Sequence, residues 1–501
     1  MRANRAPYLV TFSLTVAYEV RSAAKRANLG HRIGAHCFVR FRNTSFERHW
    51  IVADSPSDIS RSFHIINLGC KVNRVESDDF AATLLSQGAH AVDASAADLI
   101  IVNTCTVTGE AEKKTRKAVR QALRANDCAQ VVVTGCAAAI DPATYTEMSD
   151  RVRVVPKLAM HELLARGPRE DGGASSESPE SEGIEGAVLF PADAEESAGV
   201  LPSAHVEDAA AARDAARWGT GAEHVHVGEE FPTRVGVKVQ DGCNNACTYC
   251  IVHVARGRAW SRPAEEIVDE VRRTAEAGAR EIVLTGINLG SYSYDGMGLA
   301  DLLRLLLDAT DADVRFRVSS IEPRDVDDDL IALMAAAQGR ICRHLHLPLQ
   351  SGSTKVLREM ARPYKAEQFK ALVDRLYAAM PMLSLSTDVI VGFPGETEED
   401  YQATEEMARA CRFSKMHIFR YSKREGTSAA RRADQVAPEV KADRAKRLEA
   451  VEAELRAADF ARRAGTRELA LVESDGVATT ESYHAVAAPA GAREGDMVEV
   501  V

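Results

Sequence analysis

The sequence predicts an α/β protein with an N-terminal open parallel-sheet domain, a central partial (β/α)6 barrel and a small C-terminal all-β domain. Three observations carry this. Short β-rich apolar runs alternate with helical periods in two blocks, residues 63–165 and 231–437, the pattern of parallel strands joined by helical crossovers. A stretch rich in Gly, Ser, Pro, Ala and acidic residues separates the blocks at 166–230. A charged helix followed by short β segments closes the chain at 438–501.

Residues 1–62 hold ten Lys+Arg against four Asp+Glu and show no sustained period. Arg2 and Arg5 precede an apolar run at 9–18, the outline of a weak targeting peptide, but Glu19 and Arg21 follow at once. The expectation is a poorly ordered extension. In the first block, strands are expected at 63–68, 97–102 and 130–134, with helices near 78–86 and 110–124. The segment 166–230 has 15 Asp+Glu and 4 Arg, so the net charge of −11 belongs to it and the remainder is neutral at 58 against 58. It reads as a flexible, self-repelling linker, with an Ala-rich helical stretch near 206–218. Global acidity therefore does not argue against an RNA partner.

The second block gives six strands, at 235–239, 281–285, 315–319, 344–348, 383–391 and 414–419. Helices are expected between them at 263–277, 299–309, 354–359, 366–379 and 398–411. A helix over about 438–463 then leads to β segments at 467–473, 481–487 and 495–500. No apolar run approaches the ~20 residues of a membrane span. The ten cysteines are scattered, which fits reduced thiols and a cytoplasmic protein better than a disulfide framework.

Two cysteine triads carry the chemistry. Cys243, Cys247 and Cys250 lie at spacings of four and three in a loop after the first barrel strand, with Tyr249 inside the motif. Thiolates are soft ligands for zinc or for iron-sulfur iron, and a 4Fe-4S cluster on three of them leaves one iron open. His253, at C-x2-H spacing from Cys250, offers the alternative of a closed Cys3His zinc site. Cys70, Cys105 and Cys136 follow the three strands of the first block, so a parallel sheet would gather them along one edge. Cys37, Cys128, Cys342 and Cys411 read as ordinary cysteines.

Further strand-end residues describe a pocket: Thr285 and Asn288 after the second barrel strand, Ser320 and Glu322 after the third, Gln350 after the fourth and Asp388 on the fifth. Their amides, hydroxyls and carboxylates suit ribose hydroxyls and an amino group. Lys113, Lys117, Arg120 and Arg124 make one basic helix face, with Arg116 close by, read either as a solvated face or as phosphate contacts. Arg256, Arg258 and Arg262 are further candidates for phosphate, with salt bridges as the alternative. Residues 467–501 contain two arginines and no lysine, so RNA contact through the C-terminal domain is doubtful.

The C-x3-C-x2-C spacing resembles the radical S-adenosylmethionine signature. The stretches Leu68 to Asn73, Asn103 to Thr108, Thr134 to Cys136, Gln240 to Cys250, Ala255 to Gly257, His346 to Gly352 and Tyr421 to Thr427 resemble the methylthiotransferases of that superfamily. Lys71-Val72 and Ala255-Arg256-Gly257 are most similar to the branch acting on N6-threonylcarbamoyladenosine at position 37, in the anticodon loop of tRNA. The resemblance implies two 4Fe-4S clusters, with all six cysteines both ligating and catalytic. It implies that S-adenosyl-L-methionine contacts Tyr249, Thr285, Asn288, Ser320, Glu322, Gln350 and Asp388. It further implies replacement of the adenine C2 hydrogen by a methylthio group, a TRAM-like C-terminal domain, an electron donor such as flavodoxin or ferredoxin, and a sulfur source. Two other readings stay open: a methylthiotransferase for isopentenyl-type adenosine or a ribosomal protein aspartate, and a non-enzymatic zinc and RNA-binding protein.

Overall fold

The computed structural model describes residues 62–106, 109–165, 234–473 and 476–501. The targeting outline, most of the N-terminal extension, the acidic stretch and the Ala-rich stretch near 206–218 lie outside the described residues. No helix among them is long and apolar enough to cross a membrane.

The first block is a five-stranded sheet of β1 (Ser62–Asn67), β2 (His90–Ala91), β3 (Leu99–Thr104), β4 (Gln130–Gly135) and β5 (Val152–Val154), in the order β2-β1-β3-β4-β5. Every pairing is parallel. Ile100, Ile101 and Val102 of β3 and Val131 to Val133 of β4 are buried on both faces, as a sheet covered by helices on each side requires. Helix α1 (Lys71–Ser86) begins seven residues before the expected 78. Its first turns bury Asn73, Glu76 and Ser77 alongside Val72 and Val75, and these polar residues break the apolar periodicity that would mark the helix start. Helix α2 (Gly109–Ala125) follows β3.

The second block contains β6 (Arg234–Lys238), β7 (Gln240–Asp241), β8 (Trp260–Ser261), β9 (Glu281–Thr285), β10 (Arg315–Val318), β11 (His344–His346), β12 (Ser384–Val391) and β13 (Lys415–Arg420). Strands β10-β9-β6 and β11-β12-β13 form two parallel three-stranded sheets. Isolated parallel bridges Phe316↔Ile341 and Ser320↔His346 connect them. Helices Leu299–Ala309, Thr354–Glu359, Ala366–Ala379 and Glu398–Cys411 match their expected bounds. An additional helix, Asp328–Ala336, is capped by the Asp327 side chain, which accepts from the Leu330 amide. The two blocks pack directly: Val75 of α1 lies where a Cβ on Gly236 of β6 would be, 2.4 Å from its Cγ2.

Helix Pro438–Arg463 leads to the antiparallel sheet β16-β15-β14-β17, made of β14 (Glu468–Val472), β15 (Val477–Thr480), β16 (Ala485–Ala487) and β17 (Met497–Val500). The strand expected at 481–487 is divided, because residues 481–484 form a turn with Tyr483 at φ +69°. That turn is held from below. The buried Glu281 carboxylate accepts from Arg315 Nε at 2.7 Å and Arg317 Nε at 2.6 Å. The same guanidiniums donate to the Leu469, Thr479, Thr480 and Glu481 carbonyls. Tyr483 lies under Arg317, its ring centroid 4.6 Å away, and faces Lys71 of α1 at 5.3 Å.

Burial opposes the charge of Glu281, yet the two arginines lower its pKa to about 2. A carboxyl depressed on folding contributes stability above its unfolded pKa of about 4.3 and loses it as pH falls toward 2. The contribution is about 3 kcal/mol. The difference in denaturant-unfolding free energy between wild type and Glu281→Gln should therefore be largest near neutral pH and shrink below pH ~4.5.

Candidate functional site

Cys105 and Cys136 directly follow β3 and β4, and Cys70 closes the turn between β1 and α1 as the residue before that helix. Two glycines set their approach. Gly69, at φ +127°, leaves room where an added Cβ would meet Cys105 Cβ at 2.6 Å and Sγ at 2.9 Å. Gly135, at φ +99°, presses against the Thr104 backbone, with a Cβ site 2.4 Å from its carbonyl oxygen. Asn73 ties the edge together: its Nδ2 donates to the Leu68 and Thr104 carbonyls at 3.0 and 2.8 Å. The Cys70 thiol lies 3.7 Å from Asn73 Oδ1. Cys70, Cys105 and Cys136 thus follow the carboxyl ends of three neighbouring strands, β1, β3 and β4.

The second triad follows β7. Cys247 is buried and Cys243 and Cys250 are half-buried. Backbone amides of Asn245 and Val252 donate to the Cys243 and Cys250 sulfurs, both at 3.4 Å. Burial pushes the Cys250 thiol up to about 11 and raises Cys243 as well. Thiolates in such a place need cationic compensation, which a metal centre provides. The loop is pinned by Thr248, whose amide donates to the Met360 carbonyl at 3.1 Å and whose carbonyl accepts from the Ala429 amide at 2.9 Å.

Each triad has one sulfur facing a guanidinium. Arg256 Nε stands 3.3 Å from Cys136 Sγ, and Arg362 Nη1 stands 3.3 Å from Cys247 Sγ. Arg256 comes from the second block, on helix Val252–Arg256, and reaches across to the first. Its Nη1 donates to Asp241 at 2.8 Å and Glu76 at 3.0 Å, and its Nη2 to Asn73 Oδ1 at 2.8 Å. Lys238 and Lys157 also bind Glu76. Although burial opposes its charge, Lys238, Lys157 and Arg256 hold the Glu76 carboxyl well below the usual range. Arg362 is oriented by Glu322 and by the Tyr364 hydroxyl.

A cavity of about 160 Å³ is walled by residues of both blocks. Thr106, next to Cys105, and Cys250 itself lie in its wall. Tyr249, Gln350 and Asp388 from the sequence-predicted set also line it. Gln350 adopts φ +64°, a left-handed conformation that costs ~1 kcal/mol or more in a non-glycine residue and persists where the surroundings enforce it. The other four predicted residues do not line this cavity. Thr285 is buried with its hydroxyl directed to the Val237 carbonyl at 3.4 Å. Asn288 is buried and keeps an unpartnered Oδ1. Ser320 is exposed, and Glu322 pairs with Arg362 beside Cys247.

Two phosphate candidates are corrected. The Arg256 side chain is 1% exposed within its network. Arg262 is buried, with Nη1 on the Lys238 carbonyl at 3.1 Å and on Glu270. Neither is on the surface, whereas Arg258 is exposed, as is His253 on its short helix. Sequence reading missed the site roles of Arg362, Tyr421 and Arg424. Tyr421 and Arg424 line the cavity, and each keeps a buried polar atom without a partner, the Tyr421 hydroxyl and Arg424 Nη2. Both fall in the Tyr421 to Thr427 stretch, which was the available signal.

Comparison with known proteins bears on these features. Residues 237–408 match the Radical SAM superfamily, and residues 62–156 match Uncharacterized protein family UPF0004. The chain is 34% identical over 430 residues to a threonylcarbamoyladenosine tRNA methylthiotransferase of Bacillus subtilis, covering 84% of this chain and 86% of that one. A protein of the same name from Thermotoga maritima is 34% identical, covering 74% and 77%. A tRNA-2-methylthio-N(6)-dimethylallyladenosine synthase of Carboxydothermus hydrogenoformans is 36% identical, covering 77% and 82%.

Proposed function

This chain belongs to the radical S-adenosylmethionine tRNA methylthiotransferases, and we propose that it converts N6-threonylcarbamoyladenosine at position 37 of tRNA to its 2-methylthio derivative. The observation that carries the reading is the pair of cysteine triads with a cavity walled by residues of both blocks, Thr106 and Cys250 among them.

The donor sets fit the groups the reading needs. Cys243, Cys247 and Cys250 would hold one 4Fe-4S cluster, and Cys70, Cys105 and Cys136 a second. Three sulfurs at each place leave an iron open, and a guanidinium 3.3 Å from one sulfur of each triad offsets thiolate charge. When bound, the clusters supply an electron for cleaving S-adenosyl-L-methionine and an open iron for sulfur. The chain's own part is binding and positioning. Tyr249, Gln350 and Asp388 present an aromatic face, an amide and a carboxylate to the cavity, and Tyr421 and Arg424 add donors. Thr285, Asn288, Ser320 and Glu322 remain in the reading as contacts at the strand ends. Holding sulfur donor and radical source beside one substrate carbon turns an intermolecular reaction into an oriented one. That requires the two blocks to be fixed against each other, which Arg256 does.

The element order supports a methylthiotransferase N-terminal domain at 63–165, a radical SAM domain at 231–437 and a helix plus short TRAM-like β domain at 438–501. In the middle domain β6 and β9 to β13 would form a partial (β/α)6 barrel with the cysteine loop at its carboxyl end. The protein would act in the cytoplasm, taking an electron from a donor such as flavodoxin or ferredoxin and sulfur from a separate source. The similarity to the dimethylallyladenosine synthase keeps isopentenyl-type adenosine as the second reading. Mass spectrometry of tRNA nucleosides from cells with and without the gene decides between them. Loss of 2-methylthio-threonylcarbamoyladenosine with the isopentenyl-derived form intact is the expected result; the reverse pattern would move the chain to the other substrate.

A further inference from the structure

We propose that the exposed face of α2 is the surface that takes the phosphate backbone of the tRNA, and that the C-terminal sheet is not. The inference rests on the tRNA reading above and adds where the RNA docks.

Lys113, Lys117, Arg120 and Arg124 follow one another at intervals of four, three and four, which puts them in a single stripe along the helix. All four are exposed. None makes an ion pair or side-chain hydrogen bond within the described residues. At 1.5 Å per residue the stripe runs for about 17 Å, enough to follow several successive phosphates. Its beginning is fixed at the cavity. Glu112, one residue before Lys113, accepts from Arg424 Nη1 at 2.8 Å and from the Thr106 hydroxyl at 3.3 Å, and both donors line the cavity. Exposed Arg420, also in the cavity wall, and exposed Lys423 add positive charge near the mouth. A strand whose base enters the cavity would meet cations at its rim and along the helix that starts there.

The C-terminal sheet has the opposite character. Residues 467–501 carry seven Asp+Glu and only Arg467 and Arg493. Both arginines are engaged within the domain, Arg467 with Glu499 at 2.7 Å and Arg493 with Asp496 at 3.8 Å. Glu468 and Glu481 are buried on Arg463 and Arg343, and the exposed Arg467 and Arg493 are matched by Glu494 and Glu499, so this face offers a polyanion no excess of positive charge. Its visible work is structural, since its backbone carbonyls seat on Arg315 and Arg317.

The test measures tRNA binding to the cluster-loaded protein across roughly 50–200 mM salt. It compares wild type, a variant with Lys113, Lys117, Arg120 and Arg124 all changed to Ala, and the pair Arg467→Ala with Arg493→Ala. The α2 variant should bind at least tenfold more weakly, and its slope of log affinity against log salt should fall by about three, at ~0.7–0.9 per lost phosphate contact. Its release of 5'-deoxyadenosine without tRNA should equal wild type, which shows an intact fold. The C-terminal variant should bind like wild type. Undiminished affinity and slope in the α2 variant, or the loss appearing in the C-terminal variant instead, would overturn the surface while leaving the tRNA reading standing. A wild-type protein that does not bind tRNA overturns both.

Discussion

Replacing Arg256 by Gln should loosen the two blocks and, on the proposed two-cluster reading, lower the iron held at the first triad, although Arg256 belongs to neither triad. The guanidinium donates to Asn73, Glu76 and Asp241 and faces Cys136 Sγ at 3.3 Å. Within this network the carboxylates Glu76 and Asp241 meet three cations, Lys157, Lys238 and Arg256. The Arg256 guanidinium in turn lies against the thiol edge. Loss of Arg256 removes this positive charge and its bonds to Asn73 and Glu76 of the first block, leaving the Lys238–Glu76 pair to tie the blocks at this point. Breaking a buried, hydrogen-bonded pair costs about 3–5 kcal/mol. The expected result is a comparable loss in denaturant-unfolding free energy. In a background lacking the second triad, retained iron should also fall. Arg256→Lys should rescue poorly, because one ammonium cannot span sites that a planar fork reaches together. Rescue to wild-type stability and iron content by Lys would show that charge alone matters.

The second large effect is expected from one methyl group. Gly69→Ala places a Cβ 2.6 Å from Cys105 Cβ, at a φ of +127° that side chains rarely adopt. The edge must shift, and with it the distance between Cys70 and Cys105. Methylthiolated product should disappear while 5'-deoxyadenosine release persists, since the second triad lies on a different loop. Equal loss of both activities would mean that the change acts on the whole fold instead.

The strand-end and loop positions of the six cysteines and the alternation of strands and helices were legible because each leaves a local trace. Helix Glu398–Cys411 carries its own start signal, Thr397 with Asp400 in a capping box, and the strand Glu281–Thr285 is a short apolar run between turns. The cysteine spacing of the second triad is local too. Arg256 and Arg362 are different. Each meets its cysteine across more than a hundred residues of chain, so no sequence window contains both partners, and burial turned Arg256 and Arg262 from expected phosphate contacts into internal ties. The early start of α1 was hidden for the same reason: Glu76 in its second turn finds Lys238 and Arg256 in the other block. The turn at Tyr483 was hidden because Arg317, far away in sequence, holds the Glu481 carbonyl and that of Thr480 just before it. The Asp327 cap of the helix Asp328–Ala336 is a local signal as well.

Iron and acid-labile sulfide per chain, measured after anaerobic purification and reconstitution, test the two-cluster account most directly. Wild type should carry about eight irons, and each triple variant, with Cys70, Cys105 and Cys136 or Cys243, Cys247 and Cys250 changed to Ala, about four. Zinc in place of iron, or about four irons in wild type that vanish with one triad and are untouched by loss of the other, would contradict it.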